Sequence, residues 1–129
     1  MRNAKGVAVL GSTGSVGRNA LDVIAKFPER FRVTALCAGK NVAGLAEQAR
    51  RFRPPVVCLS EEVPVSRLGR LPSGTRVLFG EEGMFDVACA EGTDIVLAAA
   101  AGVTSIRPVI GAARKGKRIA LANKELLAL

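Results

Sequence analysis

The sequence predicts a doubly wound α/β fold, in which helices cover both faces of a parallel sheet. Three observations support this. Six short apolar runs alternate with helical patterns along the 129 residues. Several of these runs are continuously hydrophobic, as in strands that are buried on both faces. The first run ends in a glycine-rich turn that leads directly into a helical pattern. We therefore expect one domain with a single core over residues 1–129.

The first half of the chain alternates between strands and helices. Strands are expected over residues 6–10, 31–38 and 56–59. The first helix should end near Pro28 and carry its apolar residues on one face, namely Val16, Ala20, Val23, Ile24 and Phe27. The second helix should follow an Asn41 cap and end before Pro54, and its apolar residues are Val42, Leu45, Ala46, Ala49 and Phe52.

The second half continues the alternation after a weakly patterned segment, in which only a turn of helix around residues 65–71 is expected. Strands are predicted over residues 77–79, 94–100 and 118–121, and a short helix over residues 82–90. A further helix should face the core with Ile106, Val109, Ile110 and Ala113. Residues 123–129 have the pattern of a helix that has only begun, so we expect the chain to be part of a longer protein.

The composition narrows the possible functions. The absence of His excludes a His general base and a His metal ligand within these residues. Cys37, Cys58 and Cys89 lie far apart in apolar stretches, which favours buried, reduced thiols over a metal or redox site. No apolar run approaches the roughly 20 residues that cross a bilayer, and the N-terminus lacks a signal sequence. We therefore expect a soluble, cytoplasmic protein with no membrane partner.

The net charge of +8 raises the possibility of a nucleic-acid partner. However, the sequence has no Trp or Tyr on which bases could stack. Its compact basic run, residues 114–118, falls where a helix should end, and the helix dipole favours cations there. We therefore expect no nucleic-acid partner and keep a basic nucleic-acid-binding protein as the weakest alternative.

Glycines recur at every third position between the first strand and the first helix, at Gly11, Gly14 and Gly17. Glycine permits a tight turn and lets backbone N–H groups approach a pyrophosphate, and the helix N-terminus supplies further donors. The spacing differs from the G-x-G-x-x-G fingerprint, and a purely structural turn is the alternative. Directly after the first strand, the motif predicts a dinucleotide-binding, Rossmann-like domain.

The end of the second strand indicates which dinucleotide binds. An NAD site usually carries Asp or Glu there to hold the ribose 2′-hydroxyl. This sequence has Ala38-Gly39-Lys40-Asn41 instead. A lysine at this point would pair with a 2′-phosphate, so the sequence favours NADP over NAD. The alternative is an ordinary surface lysine before a helix.

Polar residues also follow the sixth strand, in the segment Ala122-Asn123-Lys124-Glu125. Because ligands bind outside the carboxyl ends of the strands in an open α/β sheet, this segment should face the same crevice as Gly14 and Lys40. An ordinary helix start, with Asn123 as the cap and Glu125 in the first turn, explains the same residues equally well.

These motifs, together with the segments Q-A-R-R-F-R-P at residues 48–54 and G-E-E-G at residues 80–83, have the order and spacing of the 1-deoxy-D-xylulose 5-phosphate reductoisomerase family. The sequence resembles that family over essentially its whole length. The resemblance implies a metal-assisted rearrangement of 1-deoxy-D-xylulose 5-phosphate, followed by reduction with NADPH to 2-C-methyl-D-erythritol 4-phosphate in non-mevalonate isoprenoid biosynthesis. It also implies a divalent metal, Mg or Mn, and a homodimer in the full-length enzyme.

The resemblance further implies three groups of ligand contacts. The NADPH pyrophosphate would contact Thr13, Gly14, Ser15 and Val16. The adenosine 2′-phosphate end would contact Gly39, Lys40 and Asn41. The nicotinamide side would lie against Asn123 and Glu125, and the phosphosugar substrate would contact Lys124.

The family's metal ligands and catalytic residues belong to a later region. We therefore expect no catalytic and no metal-binding residue in this chain, which alone should bind NADPH without converting substrate. Two residues depart from the family pattern. Val16 replaces a common Ile, and Leu126 replaces a common Ser beside the substrate. Two further functions stay open, namely another NADP-dependent dehydrogenase, of the semialdehyde or homoserine type, and a non-catalytic dinucleotide-binding module.

Overall fold

The computed structural model describes residues 4–99 and 106–121. These residues form one six-stranded sheet with the order β4-β3-β2-β1-β5-β6. All five strand pairs are parallel. The chain runs outward from β1 to β4 on one side and then returns to place β5 on the other side of β1. This topology confirms the predicted doubly wound sheet, with its switch point between β1 and β5.

The elements follow one another as the sequence predicts. The strands are β1 Lys5–Leu10, β2 Phe31–Ala38, β3 Val56–Leu59, β4 Arg76–Phe79, β5 Ile95–Ala98 and β6 Arg118–Leu121. The helices are α1 Ser15–Ala25, α2 Val42–Phe52, α3 Gly80–Cys89 and α4 Ile106–Arg114, with a short 3₁₀ helix at Val65–Leu68. None of the helices in the described residues is both long and apolar enough to cross a membrane.

The fifth strand is shorter than the expected span of residues 94–100. It begins at Ile95, because the Asp94 carboxylate turns toward β1 and accepts the Gly6 N–H at 2.8 Å. It ends at Ala98, and residue 100 lies outside the described residues. The hydrogen bond of Asp94 thus marks the start of β5, at the edge of the sheet where the amino ends of the strands lie.

Two pairs of helices cover the two faces of the sheet. On one face, Leu21 of α1 and Leu45 of α2 pack into a buried cluster with Val9. On the other face, Met84 of α3 and Ala112 of α4 belong to a second cluster that includes Cys37 and Cys58. The helices α1 and α2, which lead to β2 and β3 on one side of β1, therefore lie on one face of the sheet. The helices α3 and α4, which lead to β5 and β6 on the other side of β1, lie on the opposite face, as right-handed crossovers require.

The buried face of α1 agrees only in part with the apolar face assigned from the sequence, because Ala20 is half-buried and Ile24 packs against the core but the other three assigned residues are exposed. The buried residues are Gly17 and Leu21, whereas Val16, Val23 and Phe27 are 44%, 53% and 39% exposed. The reason is steric. A Cβ atom on Gly17 would overlap the Gly11 carbonyl oxygen, so α1 approaches the preceding turn through its glycine. This contact fixes the rotation of the helix more strongly than its hydrophobic pattern does.

The buried face of α4 also agrees only in part with the assignment from the sequence. Pro108 and Ala112 are buried, whereas Ala113 is exposed and Ile110 is 46% exposed. Ile106 and Val109 are half-buried. A Cβ atom on Gly111 would lie 2.5 Å from the Phe85 ring of α3, so the two helices meet closely through this glycine. As in α1, a close contact at a glycine, which has no side chain, sets the rotation of the helix about its axis.

The three cysteines are free thiols, as expected, and Cys37 and Cys58 are buried while Cys89 is half-buried. Cys37 and Cys58 are direct partners on β2 and β3. The neighbouring Cys58 thiol, together with burial, raises the pKa of Cys37 well above its ordinary value. Cys37 therefore stays protonated and acts as a core residue.

The observed face of α1 predicts unequal effects for two neighbouring truncations. Leu21→Ala should lower the free energy of unfolding by about 2–5 kcal/mol, because it empties a buried site. Val23→Ala, on the exposed side, should change it by about 0.5 kcal/mol or less. Urea denaturation of the two variants measures both values. Equal losses would contradict the assigned core face.

Candidate functional site

The turn after β1 and the turn after β2 lie side by side at the carboxyl edge of the sheet. The N–H groups of Gly11 and Ser12 both donate to the Cys37 carbonyl oxygen, at 2.8 and 2.9 Å. Cys37 is the second-last residue of β2, which ends at Ala38. The turn that carries Gly39 and Lys40 follows directly. The structure therefore brings together the glycine motif and the lysine motif, as the sequence predicts.

The N-terminus of α1 has no anionic side chain of its own. The helix begins at Ser15, and its capping position, Gly14, makes no side-chain hydrogen bond. The first turn carries no acidic residue. The first backbone N–H groups of a helix have no intrahelical acceptor, and together they carry a partial positive charge. This end of α1 is therefore suited to an anion from outside the chain.

The three glycines of the turn have different roles. Gly11 has φ +90°, which L side chains rarely adopt. Gly17 leaves no room for a Cβ atom, which would overlap the Gly11 carbonyl oxygen and lie 2.8 Å from the Ser12 Cα. At Gly14, by contrast, a Cβ atom would meet only the Gly11 oxygen, at 3.7 Å. The turn thus requires Gly11 for its backbone conformation and Gly17 for its packing, and Gly14 leaves the outer surface of the turn open.

The turn also contains a buried polar contact that the sequence did not reveal. Ser12 is fully buried, and the Gln48 side-chain N–H of α2 donates to its carbonyl oxygen at 2.8 Å. The Ser12 Oγ and the Gln48 Oε1 are buried without a partner among the described residues. Two signals were available in the sequence, since Gln48 begins the Q-A-R-R-F-R-P segment of the family resemblance and is a polar residue within a predicted helix.

The second turn presents an exposed cation. Gly39, Lys40 and Asn41 are all exposed, and neither of the two ion pairs within residues 4–99 and 106–121 involves Lys40. Ser60, at the end of β3, donates through its Oγ to the Gly39 carbonyl oxygen at 3.0 Å. This hydrogen bond holds the turn from the neighbouring strand.

The predicted cap of α2 is confirmed. The Asn41 Oδ1 accepts the Gly44 N–H at 2.9 Å, three residues along the chain. The cap uses the acceptor oxygen of the Asn41 amide, so its Nδ2 hydrogens are still available as donors. Any contact that this side chain makes with a phosphate would therefore use Nδ2, since an acceptor oxygen would repel the anion.

The third motif expected at this edge, Asn123, Lys124 and Glu125, lies outside the described residues. The preceding strand β6 ends at Leu121, which is the register partner of Ala98 on β5. No group of three or more His, Cys, Asp or Glu residues that could hold a metal ion occurs in the described parts of the chain.

The family model described as 1-deoxy-D-xylulose 5-phosphate reductoisomerase matches residues 7–129 of the sequence. The chain belongs to this reductoisomerase family. The sequence-based resemblance is thereby confirmed, and the alternative of a semialdehyde or homoserine dehydrogenase is set aside.

The two relatives described next are about three times as long as this chain. The 1-deoxy-D-xylulose 5-phosphate reductoisomerase of Moorella thermoacetica is 49% identical over 126 residues, which are 96% of this chain and 33% of the relative. The reductoisomerase of Halalkalibacterium halodurans is 43% identical over 124 residues, or 95% of this chain and 32% of the relative. The chain thus spans about a third of the length of these curated relatives.

Solved reductoisomerase structures share the fold. The enzyme from Zymomonas mobilis in complex with NADPH superposes with a TM-score of 0.84 at 34% identity, over 96% of this chain and 33% of that one. A reductoisomerase in complex with magnesium gives a TM-score of 0.86 at 36% identity, over 96% of this chain and 32% of that one. The fold of the described residues is therefore the fold of this part of the reductoisomerases.

The steric difference between Gly17 and Gly14 predicts opposite tolerance to a methyl group. Gly17→Ala should lower the free energy of unfolding by about 1–3 kcal/mol or more, because a backbone carbonyl must move. Gly14→Ala should cost less than about 1 kcal/mol, since its Cβ meets only an ordinary contact. Thermal unfolding followed by circular dichroism compares the two. A larger loss in Gly14→Ala would refute the assigned roles.

Proposed function

We propose that residues 1–129 are the NADPH-binding domain of a 1-deoxy-D-xylulose 5-phosphate reductoisomerase. One observation carries the proposal. The uncapped N-terminus of α1 lies beside an exposed lysine at the ends of two neighbouring strands, in a chain of this family. NADPH carries a pyrophosphate, which suits the N-terminus of α1, and a 2′-phosphate, which suits the exposed lysine. The Zymomonas mobilis relative was solved in complex with NADPH.

The pyrophosphate would bind at the first turn. Backbone N–H groups of Thr13, Ser15 and Val16 would donate to its oxygens, with the α1 dipole favouring the negative charge. The pyrophosphate would also lie against Gly14, whose own N–H donates to the Gly11 carbonyl oxygen. The open surface at Gly14 would let the phosphate approach the backbone closely. Val16 is 44% exposed, so its side chain is available beside the cofactor and is not needed for the core.

The 2′-phosphate would bind at the second turn. Lys40 would supply a charge-assisted hydrogen bond, and Gly39 would allow the backbone to approach without a side chain. Asn41 would contribute through its Nδ2, because its Oδ1 caps α2. No Asp or Glu stands in residues 38–41 to hold a free 2′-hydroxyl, so the turn favours NADPH over NADH.

The remaining contacts are proposed from the resemblance alone. Asn123 and Glu125 would lie against the nicotinamide side, and Lys124 would contact the phosphosugar substrate. NADPH supplies the hydride for the reduction. We assign neither a metal ligand nor a catalytic residue to this chain. The divalent metal, Mg or Mn, and the reacting groups would belong to the rest of a cytoplasmic, homodimeric enzyme of isoprenoid biosynthesis.

The substrate proposal is supported by a solved relative that holds fosmidomycin, a phosphonate analogue of the phosphosugar substrate. One solved relative is a reductoisomerase in complex with NADPH, fosmidomycin and magnesium, with a TM-score of 0.85 at 37% identity over 95% of this chain and 31% of that one. The full-length enzyme would convert 1-deoxy-D-xylulose 5-phosphate to 2-C-methyl-D-erythritol 4-phosphate. This chain would hold the cofactor for the second half of that reaction.

Substitution of Lys40 tests the choice of cofactor. Lys40→Ala should weaken NADPH binding about ten- to a hundredfold, because a charge-assisted hydrogen bond contributes roughly 1.5–3 kcal/mol. Lys40→Asp should weaken it further, since a carboxylate repels the 2′-phosphate. NADH affinity should stay unchanged in Lys40→Ala, because NADH lacks that phosphate. Isothermal titration calorimetry measures all of these affinities.

Lys26→Ala is the matched control for this experiment. Lys26 is an exposed lysine that caps the other end of α1, at the opposite edge of the sheet. Its removal changes the net charge equally and should leave NADPH affinity unchanged. An unaltered NADPH affinity in Lys40→Asp, or an equal loss in Lys26→Ala, would refute the assignment of the 2′-phosphate site.

A further inference from the structure

We propose that Gln48 is a positioning residue for the cofactor, which orients the peptide between Ser12 and Thr13 so that the Thr13 N–H faces the pyrophosphate. This inference rests on the proposed function and adds a residue to it. Gln48 lies on α2, 36 positions further along the chain than the turn it contacts. It is not one of the residues that the family resemblance places against NADPH.

The contact acts on one defined peptide unit. The Gln48 Nε2 donates to the Ser12 carbonyl oxygen at 2.8 Å. In a trans peptide the C=O of one residue and the N–H of the next lie in one plane and point in opposite directions. The carbonyl of Ser12 is held toward α2, so the N–H of Thr13 is directed away from α2.

The Thr13 N–H is available as a donor. The hydrogen bonds among the described residues use the N–H groups of Gly11, Ser12 and Gly14 but not that of Thr13. A hydrogen bond accepted by a carbonyl also polarises its peptide group and makes the attached N–H a better donor. Gln48 therefore both directs and strengthens one of the donors proposed for the pyrophosphate.

Two elements hold the turn at consecutive peptides. The Gly11 and Ser12 N–H groups are fixed by the Cys37 carbonyl oxygen of β2. The Ser12 carbonyl is fixed by Gln48 of α2. No other hydrogen bond among the described residues reaches the Ser12 carbonyl oxygen, so loss of the Gln48 contact would free the peptide between Ser12 and Thr13 to rotate. The orientation of the Thr13 peptide thus depends on Gln48.

Burial of this polar pair is poorly explained by packing alone. The Ser12 Oγ and the Gln48 Oε1 are both buried and unpartnered in the described part of the chain. An apolar side chain of similar length at position 48 would fill the same space without burying polar atoms, and such replacements in cores are often tolerated. The amide at this position is therefore better explained by the hydrogen bond it donates.

Gln48→Met tests the proposal, because methionine has a similar length and no donor. Calorimetric titration of the full chain should show that NADPH and NADH both bind up to about tenfold more weakly, as expected for the loss of one neutral hydrogen bond, with the preference between them unchanged. The two cofactors share the pyrophosphate, whereas Lys40→Ala should affect NADPH alone. Thermal unfolding should show that the variant remains folded. The control Glu47→Gln, at an exposed neighbouring position on α2, should bind both cofactors normally.

A second variant keeps the test decisive if Gln48→Met does not fold. In Gln48→Glu the ionised carboxylate faces the Ser12 carbonyl oxygen and cannot donate, whereas the protonated form can. The ratio of its NADPH affinity to that of the unsubstituted chain should rise as the pH falls and the carboxyl group becomes protonated. A purely structural contact would change stability without this pH dependence of the ratio.

The outcomes separate the two proposals. Failure of the unsubstituted chain to bind NADPH would overturn the proposed function. Normal NADPH binding in a folded Gln48→Met variant, or a pH-independent ratio in Gln48→Glu, would overturn only the role of Gln48. A changed preference between NADPH and NADH in Gln48→Met would also contradict it, because the residue would then act on the 2′-phosphate site.

Discussion

The close contact between Gly17 and the turn at Gly11 and Ser12 is the constraint on which the site depends. It brings the first turn of α1 directly onto the end of β1, because no side chain separates the two. The rotation of α1 follows from this contact, with Leu21 buried and Val23 exposed. The free N–H groups at the start of the helix are thereby fixed at the carboxyl edge of the sheet.

The parallel pairing of β1 with β2 places the Lys40 turn, the second part of the site, beside the N-terminus of α1. The register places Leu10 beside Cys37, so the two strands end at nearly the same level. The turns that follow them are linked through the Cys37 carbonyl oxygen. A helix N-terminus and the Lys40 turn therefore lie on one edge, where a ligand with two separate phosphate groups can contact both. Gln48 connects this edge to the packing of α2.

The sequence predicted the strands and their order of succession well, because continuous apolar runs such as residues 56–59 have few alternatives. The Asn41 cap was also predictable, since it is a local interaction. The buried faces of α1 and α4 were predictable only in part, because Gly17 and Gly111 make their closest contacts and a missing side chain adds nothing to a hydrophobic pattern. Gln48 was missed because its hydrogen bond joins residues that are far apart in the chain.

An amide NMR titration of the isotope-labelled chain with NADPH would show where the cofactor binds on the sheet. We expect the largest shift changes on the backbone N–H groups of residues 13–17 and 39–41, at the carboxyl edge of the sheet. Changes centred instead on the opposite edge, around Lys5, Asp94 and Lys117, would contradict it.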